Sequence, residues 1–301
     1  MISNFTASFM TQFADTELIL NEDHRVYHLQ LKNEDIADDI ILVGDQTRVA
    51  QISNYFSEID FKTQHREFIT HTGNFNGKRI SVISTGIGTD NIDIVLNELD
   101  AAVNINPVKR TLQPQLRQLN IVRLGTSGSL QADIPVNAMV ASTHGLGLDG
   151  LLNFYNNTSA IQEQNISQEF IKHTAWLTTL PYPYCVAADQ KLLNNLAKDC
   201  YTGITATAPG FYGPQGRQIR LQASMPNLND LLASFNYNDQ RITNFEMETS
   251  ALYGLGKLLG HRCLTVCVII ANRQTKKFTN DYSQSVKLLI ENCLNKISND
   301  R

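Results

Sequence analysis

The stretch Ile121-Val122-Arg123-Leu124-Gly125-Thr126-Ser127-Gly128 sets an arginine inside an apolar run and follows it with glycines and hydroxyls. A guanidinium buried among aliphatic side chains is costly unless an anion meets it. The small residues that follow let backbone N–H groups approach a ligand closely. A cation and a glycine-rich turn at the carboxyl end of a strand suit an oxyanion such as phosphate. An arginine paired with a nearby Asp or Glu, followed by an ordinary turn, accounts for the same residues. Two further arginines stand close to strand ends: Arg48 in Gly44-Asp45-Gln46-Thr47-Arg48, and Arg66 in His65-Arg66-Glu67-Phe68. Singly, each reads as a solvated arginine. A phosphate dianion needs several bidentate donors, which the planar guanidinium supplies, and three arginines so placed fit one such anion better than chance does.

Two other segments carry chemistry. Asn244-Phe245-Glu246-Met247-Glu248-Thr249 opens a helix with two carboxylates. These either stabilise the helix dipole, at roughly 0.3–1 kcal/mol per charge, or accept hydrogen bonds from a vicinal diol such as the ribose 2′- and 3′-hydroxyls. Phe211-Tyr212-Gly213-Pro214-Gln215-Gly216-Arg217 joins an aromatic ring to Gln and Arg on a Gly/Pro loop. Phe can stack on a base, Gln offers a donor and an acceptor to an imide edge, and Arg can stabilise charge on a departing heterocycle. A surface loop with one buried Phe is the alternative. Gly86-Ile87-Gly88-Thr89-Asp90-Asn91 starts like a dinucleotide fingerprint, but Asn91 stands at the third glycine and no carboxylate ends a strand about 20 residues on. It reads as a turn that packs a helix on a strand, with Asp90 as N-cap.

The elements that would position these residues alternate. Ile40–Val43 is a short buried strand, with a helix starting near Thr47. Phe68–Thr72 and Arg79–Ser84 form a hairpin around Asn76-Gly77. Val26–Leu31 alternates weakly and carries His28. Ala138–Thr143, Tyr184–Ala188, Thr202–Ala208 and Cys263–Ala271 read as strands, and Gln190–Asp199, Glu248–Leu259 and Ser283–Ile297 as helices. Residues 104–118 form a polar excursion, and 150–182 lack periodicity. Strands alternating with helices, several of them wholly apolar, predict a single α/β domain with a central mixed sheet flanked by helices. Residues 1–25 read as an N-terminal extension.

The 301 residues are 42% hydrophobic and 18% charged, with a net charge of −4. With no basic block, nucleic acid and anionic membranes are excluded as main partners. No apolar run reaches the roughly 18 residues of a membrane span, and the N-terminus lacks the pattern of a secretory signal. The five cysteines include no C-x-x-C, which points to reduced thiols, a cytoplasmic compartment and no zinc site.

Taken together and in this order, Gly44-Asp45…Arg48, His65-Arg66-Glu67-Phe68, Ser84–Gly88, Arg123–Gly128, Leu148-Asp149-Gly150, Phe211…Arg217, Asn244–Glu248 and Asn272-Arg273 resemble the uridine phosphorylases of the purine and uridine phosphorylase superfamily. The resemblance implies a three-layer α/β/α fold and phosphate-dependent cleavage of uridine to uracil and α-ribose 1-phosphate. It implies that Gly44, Arg48, Arg123 and Thr126 bind phosphate, joined by Arg66 from a neighbouring subunit. Glu246, Met247 and Glu248 would hold the ribose, with the neighbour's His28 at the 5′-hydroxyl. Phe211, Gln215, Arg217 and Arg273 would form the base pocket, with Arg123 and Arg217 carrying the catalysis. It further implies a homodimer with a shared site, or a trimer of dimers, and no cofactor beyond phosphate as co-substrate. Some bacterial members hold a monovalent cation near the positions of Glu67, Ile87 and Asn91, where serine is usual at the last. Purine-cleaving relatives carry an Asp in the region of Asn272-Arg273. The alternatives are a purine nucleoside phosphorylase, a same-fold nucleosidase that uses water, and a non-catalytic nucleoside sensor.

Overall fold

The computed structural model describes residues 12–299. Strand β1 (Asp39–Val43) shows why the core strands read as unbroken apolar runs. Its alternate side chains enter two separate cores. Ile40 and Leu42 meet helices α2 (Thr89–Asn104) and α6 (Thr249–Leu259). Ile41 and Val43 meet α1 (Gln46–Ser53), α4 (Gln190–Leu196) and α7 (Ser283–Asn299). A strand covered on both faces has no polar positions to alternate. These are the three layers expected, helix–sheet–helix.

Beside β1 lie β4 (Lys78–Ser84) and β7 (Asn120–Ser129), both parallel to it. The edge continues antiparallel through β3 (Phe68–Phe75) to β2 (Glu58–His65). On the other side β7 runs parallel to β13 (Arg262–Asn272). β13 pairs antiparallel with β8 (Met139–Gly147), which pairs parallel with β10 (Tyr201–Thr207), which pairs parallel with β12 (Gln240–Glu246). β12 then pairs back, antiparallel, onto the end of β7 through Asn244–Ser129 and Phe245–Gly128. The sheet is therefore mixed, and this half of it closes on itself. A third core, under α3 (Gln164–Thr174) and α5 (Leu228–Ser234), covers the curled part with Phe170, Phe235, Ile204 and Ile242. β9 (Tyr184–Ala187) pairs with the end of β8.

Inside the closed part, polar side chains link the strands in series. Ser142 and Thr205 hydroxyls bond at 2.5 Å, Thr205 Oγ1 donates to Asn244 Oδ1 at 2.9 Å, and Asn244 Nδ2 donates to Ser127 Oγ at 2.9 Å.

Several expectations change. The helix after Gly86-Ile87-Gly88 begins at Thr89 with Gly88 as its cap at φ 102, so Asp90 lies in the first turn and is not the N-cap. Residues 244–246 end strand β12, and Glu248 is the cap of α6, so the two carboxylates do not open one helix. β2, β12, α3 and α5 went unread. The excursion 104–118 contains a two-residue hairpin. Residues 27–31 form no strand; Val26 makes one bridge to Leu20. Asn76 (φ 50) and Gly77 (φ 82) do form the expected turn, both left-handed as a type I′ hairpin requires. The expected N-terminal extension lies in part outside the described residues. Its described part is tied down by Arg110, whose Nε donates to the Phe13 carbonyl at 2.8 Å.

Asn244 carries the closure test. Asn244→Ala leaves the buried Ser127 hydroxyl without its partner, worth about 1–3 kcal/mol, and takes from Thr205 one of its two, the bond to Ser142 remaining. The expected loss is about 2 kcal/mol in urea unfolding, against near-neutrality if the closure contributes nothing.

Candidate active site

Arg123 sits in the middle of β7, flanked in register by Leu42 and Thr265. Its side chain folds back along its own strand. A Cβ on Gly125, two residues on, would come within 2.4 Å of Arg123 Nη1, so only glycine leaves room for the guanidinium there. The anions that meet it are carboxylates: Nη2 pairs with Glu248, and Nη1 lies 3.2 Å from Glu246 Oε2. Nη1 also contacts Cys267 Sγ at 3.6 Å, and Nε has no partner among the described residues. Of the two readings of Arg123, the structure shows the pairing with acids, and the side chain keeps an unused donor.

The two glutamates are held differently. Glu246 accepts from the backbone N–H of Glu248 at 2.9 Å and of Thr249 at 3.0 Å, and from Thr207 Oγ1 at 2.9 Å. It is a structural acceptor that stitches the end of β12 to the start of α6. Glu248 accepts from the Gly88 N–H at 2.8 Å. The Gly86-Ile87-Gly88 loop thus reaches the site by presenting a backbone donor, beyond the packing role read from sequence. Gly86 (φ 72) and Gly88 (φ 102) adopt conformations that side chains resist. Burial pushes the Glu248 carboxyl up to about 7, with Arg123 opposing the rise and Glu246 adding to it. Met247 lies between them, half-buried.

Arg48, from the first turns of α1, is 8% exposed and donates from Nη1 to the Leu124 carbonyl at 3.2 Å, beside Arg123. Burial lowers its pKa, and the Arg123 charge adds to the lowering while Asp45 opposes it. Gly44 approaches Gly86 so closely that a Cβ would lie 3.3 Å from its carbonyl. Thr126 is half-buried, three residues beyond Arg123 on β7. Gly44, Arg48, Arg123 and Thr126 thus share the same strand ends, and two of the three arginines converge. A cavity of about 540 Å³ between α1 and α7 takes in Asp45 and Arg48 but neither Glu246 nor Glu248.

The residues expected at the base also come together. Arg217 stacks over the Phe211 ring at 3.8 Å and donates from Nη1 to the Phe211 carbonyl and to Gln215 Oε1, both at 2.6 Å. Arg217 and Arg273 approach the buried Phe245 ring at 5.9 and 5.8 Å. Burial and the Arg273 charge bring the Arg217 pKa down to about 10, so it stays cationic at neutral pH. Asn229, with its amide oriented to satisfy both neighbours, accepts from Arg273 Nη2 at 2.9 Å and donates to the Gln215 carbonyl at 3.3 Å.

His28 and Arg66 lie elsewhere on the chain. The His28 ring bonds Glu98 Oε1 through Nδ1 at 2.6 Å, and the Glu98 carboxylate also accepts the backbone N–H groups of His28 and Leu29. Arg66 sits at a left-handed turn (φ 54) with its guanidinium 6.0 Å from the Tyr27 ring, which also packs edge-on to His28. Gln46 Nε2 donates to the Arg66 carbonyl at 3.0 Å, and Asn91 Nδ2 donates to Glu67 at 3.3 Å. One surface patch therefore carries both residues, apart from Arg123.

Glu98, Thr207, Asn229 and Cys267 escaped the sequence reading, since a polar residue on a helix or strand carries no motif. Glu248 generates a pH test. Between its ordinary value of 4.5 and about 7, the unfolded carboxyl is ionised while the folded one keeps its proton. The folded state then binds more protons, so stability falls as pH rises through that window. Melting temperatures from pH 5 to 8 are expected to decline more steeply in the wild type than in Glu248→Gln; equal slopes refute the shift.

Residues 38–296 match the family model of the phosphorylase superfamily. The chain is 30% identical over 296 residues to a uridine phosphorylase of Thermococcus kodakarensis, covering 93% of this chain and 92% of that protein. It is 29% identical over 268 residues to a uridine phosphorylase of Haemophilus influenzae, covering 85% and 90%. Among solved structures, a Trypanosoma brucei nucleoside phosphorylase described as showing uridine phosphorylase activity superposes with a TM-score of 0.83 at 29% identity, over 93% of this chain and 98% of that one. The matched span holds both the closed sheet and the Arg123–Glu246–Glu248 centre built on it, and the chain belongs to the phosphorylase superfamily.

Proposed function

We propose that this chain catalyses the phosphate-dependent cleavage of uridine to uracil and α-ribose 1-phosphate. The observation that carries the reading is the junction at Phe245-Glu246. On one side of it two arginines and Gln215 surround an aromatic floor. On the other side two carboxylates hold Arg123, with Arg48 close by. A base site and an oxyanion site thus flank one strand-to-helix junction, and on this reading Glu248 is the acceptor for ribose hydroxyls there.

Phosphate is held by Arg48, Arg123, Thr126 and the Gly44 backbone beneath C1′. Its oxygen forms the new bond to C1′ as the C1′–N1 bond breaks, and the electron pair leaves on uracil. Nearby cations stabilise that charge, so the gain is positioning plus electrostatics. Arg217 keeps its proton near neutrality and acts by charge; the departing uracil takes its proton from water. The Gln215–Arg217 bond sets the amide for an imide edge before the base arrives. Asn272, at the place of the purine-directed acid, is spent on structure: Nδ2 donates to the Gln131 and Ile134 carbonyls at 2.8 and 2.9 Å. With Arg217 and Arg273 at this place, and Asn272 where an acid would stand, a pyrimidine fits better than a purine. The reaction requires no cofactor, inorganic phosphate being co-substrate.

The working form on this reading is a homodimer. His28 and Arg66, which share one patch around Tyr27, complete the site of a second copy, at the ribose 5′-hydroxyl and the phosphate; dimers can stack further into a trimer of dimers.

Uracil release from uridine, followed by absorbance, is expected to depend on phosphate and to fall about 10²–10³-fold in Arg217→Ala. Full activity without phosphate favours a nucleosidase, and binding without turnover a sensor. Arg66→Ala and Arg123→Ala are each expected to be inactive alone, with activity returning when the two are mixed and allowed to exchange subunits. No recovery removes the shared site.

A further inference from the structure

Strand β8 carries Gly145 and Gly147 two residues apart, hence on one face. A Cβ on Gly145 would lie 2.8 Å from Ser250 Cα, and one on Gly147 would lie 2.3 Å from the Tyr184 ring. The bare face of the strand thus admits the first turn of α6 and the Tyr184 ring together. Where these meet stands Asp149, just past the strand. Its carboxylate accepts from Ser250 Oγ at 2.8 Å and from the Leu151 N–H at 2.8 Å, and it bonds the Tyr184 hydroxyl at 2.9 Å. Burial raises the pKa of this carboxyl, and the three donors oppose the rise by favouring its ionised form.

The Leu151 contact alone is what an aspartate in a turn makes with its own backbone. The Ser250 and Tyr184 contacts reach further. Ser250 N–H donates to Thr207 Oγ1 at 2.9 Å, and Thr207 Oγ1 donates to Glu246 Oε1 at 2.9 Å. Glu246 in turn accepts the N–H of Glu248 and lies 3.2 Å from Arg123. Asp149 touches none of the substrate-directed side chains, yet it anchors the residue that follows them.

We propose that Asp149, with Ser250 and Tyr184, is a positioning latch that fixes the start of α6 so that Glu248 stays between Arg123 and the Gly88 N–H. The latch rests on the proposed uridine cleavage only for its kinetic consequence; its physical consequence is independent of any substrate. Loosening it frees Glu248 to wander from the ribose hydroxyls while leaving the base pocket and Arg48 in place.

The test has two arms. Amide hydrogen exchange at Glu248, Thr249 and Ser250 is expected to quicken at least tenfold in Asp149→Asn, with β13 protection unchanged. The kinetic arm compares uridine with 2′-deoxyuridine. Asp149→Asn is expected to lower kcat/KM about tenfold for uridine and less than threefold for the deoxy substrate. Tyr184→Phe, which keeps the buried ring, repeats both arms at smaller amplitude should Asp149→Asn fold poorly. Unchanged exchange at the start of α6, or an equal loss on both nucleosides, overturns the latch. Quickened exchange in a protein whose wild type releases no uracil keeps the latch and refutes the assigned reaction.

Discussion

Everything in this molecule that bears on chemistry depends on placing one guanidinium, Arg123, in the dry middle of a sheet. Two carboxylates meet it, and each is tied to a different part of the chain. Glu246 is fixed by backbone donors at the start of α6 and by Thr207; Glu248 is fixed by the Gly88 N–H of the loop that opens α2, the helix packed beside α6. An isolated buried charge costs several kcal/mol. Two acids around one cation offset that cost while leaving Nε without a partner among the described residues. The centre is therefore stable as it stands and still has a donor to offer.

Glycine is the reason this centre can be assembled. Gly125 gives the Arg123 side chain space to lie along its own strand, and Gly145 and Gly147 let a helix terminus and an aromatic ring approach β8. The missing side chains make room for a guanidinium at Gly125, for backbone at Gly145 and for a ring at Gly147. The Ser142–Thr205–Asn244–Ser127 series then binds together the strands that carry them.

How much of this was legible follows from where each signal lay. β1 and β13 announced themselves because burial on two faces removes every polar residue from a strand. β2 hid because its alternation is of half-exposed with exposed residues, so no apolar face stands out. α3 hid because its buried stripe is Ile166, Ser167, Phe170 and Thr174, half of it hydroxyls. β12 hid because it faces the polar interior with Thr243 and Asn244. That displaced the two glutamates from strand end to helix in the reading, and the alternative of Arg123 paired with a nearby Asp or Glu stayed without a named acid. The loop residues Phe211, Gln215 and Arg217 were legible as a set only through the resemblance, since by composition alone a surface loop with one buried Phe accounts for them, and Phe211 is in fact half-exposed.

Phe211 and Tyr212 stand half in solvent, at 51% and 57% exposure, on a loop outside the closed sheet. The Arg123–Glu246–Glu248 centre, by contrast, draws on β7, β10, β12 and β13. On the proposed reading, substitutions on the half-exposed rim would retune which heterocycle fits at little cost to folding, whereas a change at the centre would disturb several strands at once.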